Sequence, residues 1–190
     1  MSVPRLSVPW PFEYTKQGVI AQALWIAVFA AVTAVAAQVE IPHHPVPYTL
    51  QTLIVLLAGA FLGWRNGAFS QVLYLGVGAL GLPVFAGGGL GLARIVGPTG
   101  GYLLAFPVAA AIVGYLVQQR GGLVWSFVSM AAGLFIIFVS GTIQLYAVYL
   151  QDWAAAFDSG FLIFSWWDVL KLSAAAMIYH EVAKRWRQIP

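Results

Sequence analysis

Asp168 and Lys171 stand three residues apart in FSWWDVLKLSAAAMIYH, a stretch otherwise apolar enough to cross a bilayer. A lone charge at the centre of a membrane helix costs about 2.5–3.5 kcal/mol on insertion scales. Two opposite charges at i and i+3 share one helix face and partly neutralise each other. Intramembrane ionisable residues mark a site by default, each the other's partner or a ligand's. The competing reading is an ion pair that only fixes helix packing.

Arg94 is the strongest single residue beyond that pair. It sits among glycines and apolar residues in PVFAGGGLGLARIVGPTGG. A guanidinium there suits a planar anion such as a carboxylate; headgroup anchoring by snorkelling is the alternative. Other constellations are weaker. Gly89 and Gly91 begin a dinucleotide-type pattern, but Arg94 stands at its third glycine position and no strand precedes it. GPTGG lacks the Lys-Ser/Thr of a phosphate-binding loop, so any energy for pumping must come from another subunit. His43, His44 and Glu40 match no common metal spacing and read as a solvated loop; no metal is expected. Ser140 and His180 are the parts of an intramembrane serine hydrolase, but Phe138-Val139 precedes the serine where a glycine-containing motif would stand. No catalytic residue and no enzymatic activity are therefore expected.

These side chains need a frame, and composition says which. The chain has 190 residues, 61% hydrophobic and 8% charged. A soluble domain averages about 25% charged, so this is an integral membrane protein. Without cysteine, disulfides, thiolate nucleophiles and Cys-based metal sites are excluded. The net charge of +3 comes from singly scattered basic residues, which argues against nucleic acid and for topology signals.

Six spans satisfy the roughly 20-residue requirement for crossing a bilayer: residues 18–38, 48–64, 67–82, 101–118, 123–150 and 164–184. The expected fold is all-α, a bundle of six transmembrane helices forming a single domain over 18–187, with 1–17 a flexible or interfacial tail where Trp10 and Phe12 suit the headgroup level. The small residues of AVTAVAAQ mimic a signal cleavage site, but cleavage there would fall beyond the usual range of about 15–30 residues, so the first span reads as a helix. With both termini cytoplasmic, Arg5, Lys16, Arg65, Arg120, Lys184, Arg185 and Arg187 all face inward. Arg94 and Lys171 break that rule and need another reason to exist.

The inner turns at Arg65-Asn66-Gly67 and Arg120-Gly121-Gly122 read as tight connections. The outer loops are richer. Pro42, Pro45 and Pro47 forbid helix and favour a stiff extended segment in VEIPHHPVP. The glycine-rich second loop allows close backbone approach. The third, near 152–160, is partly amphipathic and reads as a short interfacial helix. Function is expected on this outer face. In the first span Ala23, Ala27 and Ala31, and also Ala30 and Ala34, recur at a spacing that admits a close helix neighbour, from this chain or another.

Taken together, VPYTLQTL, YLGVGALGLPVFAGG, GPTGGYLLAF and DVLK resemble the BioY family, the biotin-specific S components of energy-coupling-factor transporters. The resemblance runs from about Ala23 to Lys184. It implies an outward-facing biotin pocket covered by the first outer loop, residues 39–47. It implies partners: a transmembrane coupling subunit, met by the Ala23, Ala27, Ala31 stripe, and two ATPase subunits, in a bacterial or archaeal cytoplasmic membrane. The family's ligand-contacting Arg, Asp and Lys map onto Arg94, Asp168 and Lys171. Biotin is the transported ligand, and no cofactor is implied. Tyr48, Gln51, Tyr74, Tyr102 and Gln144 are candidates for further hydrogen bonds, and Trp166 and Trp167 for packing on the apolar rings. The stretch Val84–Gly89 offers no polar side chain for the contacts the family makes near there. Another small anionic vitamin is the alternative ligand.

Overall fold

The computed structural model describes residues 18–162 and 166–186. Arg5, Trp10, Phe12, Lys16, Phe164 and Arg187, to which the sequence reading gave roles, lie outside the described residues.

Helix α1 (Val19–Gln38) carries no charge and is the most exposed of the long helices. It ends in a short hairpin, β1 (Glu40–Ile41) against β2 (Tyr48–Thr49), paired antiparallel with Glu40 opposite Thr49 and Ile41 opposite Tyr48. Pro42, Pro45 and Pro47 lie in the connection; the loop is extended as expected, but the two-residue ladder was not foreseen.

Helix α2 (Gln51–Ala79) takes the place of the second and third spans. A straight helix would hold residues 51 and 74 roughly 35 Å apart at 1.5 Å per residue. Instead the Gln51 amide donates to the Tyr74 hydroxyl at 2.6 Å. The helix therefore doubles back into two antiparallel arms. The reversal is at Gly63 (φ 73°, ψ 177°), a conformation open essentially to glycine alone. This corrects the expected turn at Arg65-Asn66-Gly67: those residues begin the second arm, and Gly67 packs against the Gly59 backbone, where a side chain would not fit.

The glycine-rich loop follows, with a 3₁₀ turn at Ala86–Gly88 and the one-turn helix α3 (Leu92–Val96). Helix α4 (Gly100–Val117) packs closely along α2 because Gly59 and Gly114 remove side chains at the contact. Helix α5 (Leu123–Leu145) continues as a π-helical turn to Leu150, and Gln151 in the left-handed region (φ 51°) ends it. The short helix expected near 152–160 is α6 (Trp153–Gly160). Asp152 caps it by accepting from the backbone N–H groups of Ala154 and Ala155 at 2.8 and 3.3 Å. Helix α7 (Trp166–Trp186) completes the bundle. Counting α2 as two arms, the described residues hold six long helical segments, α1, both arms of α2, α4, α5 and α7, in rough agreement with the expected six. Helices α1, α2, α4 and α5 are long and apolar enough to cross a membrane, and α7, which carries Asp168 and Lys171, falls short of that measure. The buried core runs between α2, α4, α5 and α7, through Leu56, Tyr74, Phe106, Val113, Leu134 and Ala175.

The alanines of α1 divide between two faces. Ala30 is buried against the core and Ala34 is half-buried, whereas Ala23, Ala27 and Ala31 are exposed. Among the described residues the second set faces outward from the bundle.

Candidate functional site

One end of the bundle holds a cavity formed by the first loop, β2, the start of α2, the glycine-rich loop and α3, the start of α4, the end of α5 and the start of α7. Its empty space, counted out to the mouth and including open solvent, is about 710 Å³.

Asp168 and Lys171 line it from α7, 2% and 6% exposed, with Lys171 Nζ 2.6 Å from Asp168 Oδ1. The ammonium also donates to the Thr49 carbonyl at 3.0 Å. That leaves it a third N–H. Asp168 Oδ2 has no protein partner among the described residues. The pair thus offers the cavity one cationic donor and one anionic acceptor. A chain of hydrogen bonds sets its position. Thr49 Oγ1 donates to Gln51 Oε1 (2.9 Å), Gln51 Nε2 to the Tyr74 hydroxyl (2.6 Å), and that hydroxyl to the Val84 carbonyl (3.2 Å). Five segments are joined through one lysine.

Arg94 lines the same cavity from α3 but is exposed. Its guanidinium lies over Gly89: a Cβ built there would meet Arg94 Nε and sit 3.0 Å from Cζ. Gly89 has an ordinary φ of −61°, so space and not backbone freedom requires glycine. The loop is held from two sides. Gln38, at the end of α1, donates to the Phe85 carbonyl (3.1 Å) and accepts from the Gly88 N–H (3.2 Å). Gln144 of α5 donates to the carbonyls of Ile95 and Gly97 at 3.0 and 2.9 Å.

Of the remaining candidates, Tyr48, Gln51 and Tyr102 line the cavity. The Tyr48 phenol is pushed above its usual pKa by burial and then by the Asp168 carboxylate, so it remains a donor at neutral pH. The Tyr102 hydroxyl is already engaged with the Gly160 carbonyl at 2.9 Å, tying α4 to α6. Tyr74 and Gln144 stand outside the lining: the first supports Gln51, the second fastens the loop that carries Arg94. Trp166 and Trp167 are also outside it; Trp166 is 73% exposed and packs edge-on against Trp167. The apolar wall is instead Phe85, Phe106, Ile137 and Phe138, with Val46 and Pro47 of the first loop above.

Sequence reasoning missed that wall, because phenylalanines in apolar spans carry no distinguishing pattern. It also missed Thr99 and Thr52. Thr52 follows Gln51 directly, lines the cavity, and its Oγ1 is buried without a hydrogen-bond partner. An unpaired hydroxyl in a cavity wall is a natural ligand contact. Ser140 and His180 are not brought together. Ser140 donates to the Gly101 carbonyl at 2.9 Å near the cavity end of the bundle. His180 lies near the opposite end, beside Ser126, 14 residues and about 21 Å down α5 from Ser140. The hydrolase reading fails on that separation.

The comparisons agree with this architecture. The family model described as the BioY family matches residues 9–188. The chain is 40% identical over 163 residues to the biotin transporter BioY of Thermotoga maritima, covering 86% of this chain and 96% of that one. It is 38% identical over 180 residues to the probable biotin transporter BioY of Lysinibacillus sphaericus, covering 90% and 91%. The crystal structure of the S-component for biotin from an ECF-type ABC transporter shares the fold, with a TM-score of 0.79 at 24% identity over 87% of this chain and 92% of that one. With its family match spanning nearly the whole length and relatives of this identity aligned end to end, the chain belongs to the BioY family.

Proposed function

We propose that this protein captures biotin in the cavity beside Asp168 and Lys171 and delivers it across the cytoplasmic membrane as the substrate-binding component of an energy-coupling-factor transporter. The carrying observation is the buried ion pair with one acceptor and one donor left open, among the described residues, to a cavity that also has a wall of Phe85, Phe106, Ile137 and Phe138. Biotin has a ureido group with two N–H donors and one carbonyl, an apolar thioether ring and chain, and a terminal carboxylate. The ureido group suits Asp168 and Lys171, the ring suits Phe85, Phe106 and Phe138, and the carboxylate suits the exposed Arg94. The names of the Thermotoga and Lysinibacillus relatives support this ligand.

The exposed Ala23, Ala27, Ala31 face of α1 is the contact for a transmembrane coupling subunit, which carries two ATPase subunits. Both termini face the cytoplasm, since Arg65, Arg120, Lys184 and Arg185 lie at the end of the bundle remote from the cavity. No nucleotide site or metal is needed for capture. Calorimetry on the purified protein in detergent with chelator present tests the reading: saturable heat with biotin is expected. Absence of heat with biotin, or heat only with added metal, overturns it, and heat with a different anionic vitamin alone reassigns the ligand.

A further inference from the structure

A second cleft lies at the opposite end of the bundle, where the α4–α5 turn meets the last turns of α7. Arg120, Gly122, Ser126, Tyr179, His180 and Lys184 line it, around about 480 Å³ of empty space counted out to the mouth. Three of these are cationic or can donate as cations, and among the described residues no carboxylate lines it. Glu181, beside His180 in sequence, is exposed and outside the lining. Among the described residues, no carboxylate lies within salt-bridge reach of Arg120 or Lys184. The Arg120 guanidinium is held 5.0 Å above the Trp125 ring, a cation–π contact that fixes it without neutralising it. Gly122, the N-cap of α5, has no side chain to cap the first N–H groups of that helix. A concave site with uncompensated cations on two elements has the character of an anion receptor, and interhelical basic pockets of this kind hold phosphate headgroups.

We propose that this cleft binds a phosphate group, either the diester of an anionic lipid headgroup or free phosphate. Lipid-facing side chains adjoin the lining in sequence: Leu123 is 43% exposed, Phe127 38% and Ile178 43%, so an acyl chain has an apolar surface to follow. The site is independent of the biotin cavity, with which it shares no lining residue.

The test is thermal unfolding of the full, delipidated protein in neutral detergent, titrated with phosphatidylglycerol, phosphatidylcholine or inorganic phosphate at matched ionic strength. A saturable rise in Tm with phosphatidylglycerol but not phosphatidylcholine is expected, weakened about tenfold in midpoint by the pair Arg120→Gln and Lys184→Gln. The pair Arg65→Gln and Arg185→Gln removes the same charge from the same end outside the cleft and should leave the midpoint unchanged. Should the first pair not fold, Gly121→Glu places a carboxylate in the exposed turn at the rim and should abolish the response. A response to inorganic phosphate as strong as to the lipid assigns a soluble ligand; a response to the lipid alone assigns the headgroup. No saturable response to either anion, or equal weakening by both neutralised pairs, overturns the proposal.

Discussion

Replacing Asp168 by Asn removes the only ion-pair partner of Lys171 among the described residues and leaves the ammonium, 6% exposed, bonded to the Thr49 carbonyl alone. An unpaired buried charge costs about 3–5 kcal/mol. Loss of a charge-assisted hydrogen bond to ligand costs about 1.5–3 kcal/mol, or roughly 10- to 150-fold in Kd. The single variant thus mixes both effects. The double variant Asp168→Asn with Lys171→Met separates them. It restores neutrality, so most of the stability returns, short of about 1 kcal/mol for the lost bond to Thr49. It does not restore the anionic acceptor and the cationic donor facing the cavity, so the charge-assisted bonds to biotin are absent and its affinity should stay at least tenfold down. Calorimetry and thermal unfolding in detergent read the two quantities on the same sample. Near-native affinity in the double variant would show that the pair only fixes helix packing, and the site assignment would fall.

Three further outcomes follow from the geometry. Ala27→Trp on the exposed face of α1 should abolish energised uptake in cells while leaving biotin binding in detergent unchanged; an equal loss of binding would place that face inside the bundle. Gly89→Ala fits the backbone but displaces the Arg94 guanidinium, so biotin affinity should fall about tenfold with Tm little altered; unchanged affinity would remove Arg94 from the site. A single cysteine placed at either terminus of this cysteine-free chain should resist an impermeant thiol reagent on intact cells, and labelling there would invert the topology.

The parts of the candidate site that the sequence made legible are those that break a rule of their surroundings. Asp168 and Lys171 violate the apolar span, and Arg94 stands apart from Arg65, Arg120, Lys184 and Arg185, which gather at the other end of the bundle. Asp168, Lys171 and Arg94 all line the cavity. The parts that were hidden obey those rules. Phe85, Phe106 and Phe138 form the wall, yet in a bilayer lipid and protein neighbours are equally apolar, so no periodicity separates a cavity-facing phenylalanine from a lipid-facing one. The reverse error has the same origin: Trp166 and Trp167 stand beside Asp168 in sequence, but adjacent helix positions point in different directions, and both fall outside the lining. The α2 reversal was misplaced by a few residues because Arg65 and Asn66 look like a turn, while Gly63 alone can adopt the backbone angles the turn needs.

The polar candidates that do not touch the cavity are the more instructive ones. Tyr74 and Gln144 were chosen for their hydrogen-bonding groups, and those groups are spent on protein partners. Tyr74 passes the Lys171–Thr49–Gln51 chain on to the Val84 carbonyl, and Gln144 holds the Ile95 and Gly97 carbonyls at the end of α3. Polar side chains in an apolar bundle cannot be left unpaired without penalty. Their spacing in the sequence therefore marks the neighbourhood of a site without saying which of them face it. What distinguishes Asp168, Lys171 and Thr52 is residual capacity. After every contact with the described residues is counted, each keeps an acceptor or donor open at the cavity wall. That surplus exists only in three dimensions, because it depends on partners as distant in sequence as Thr49 and Lys171.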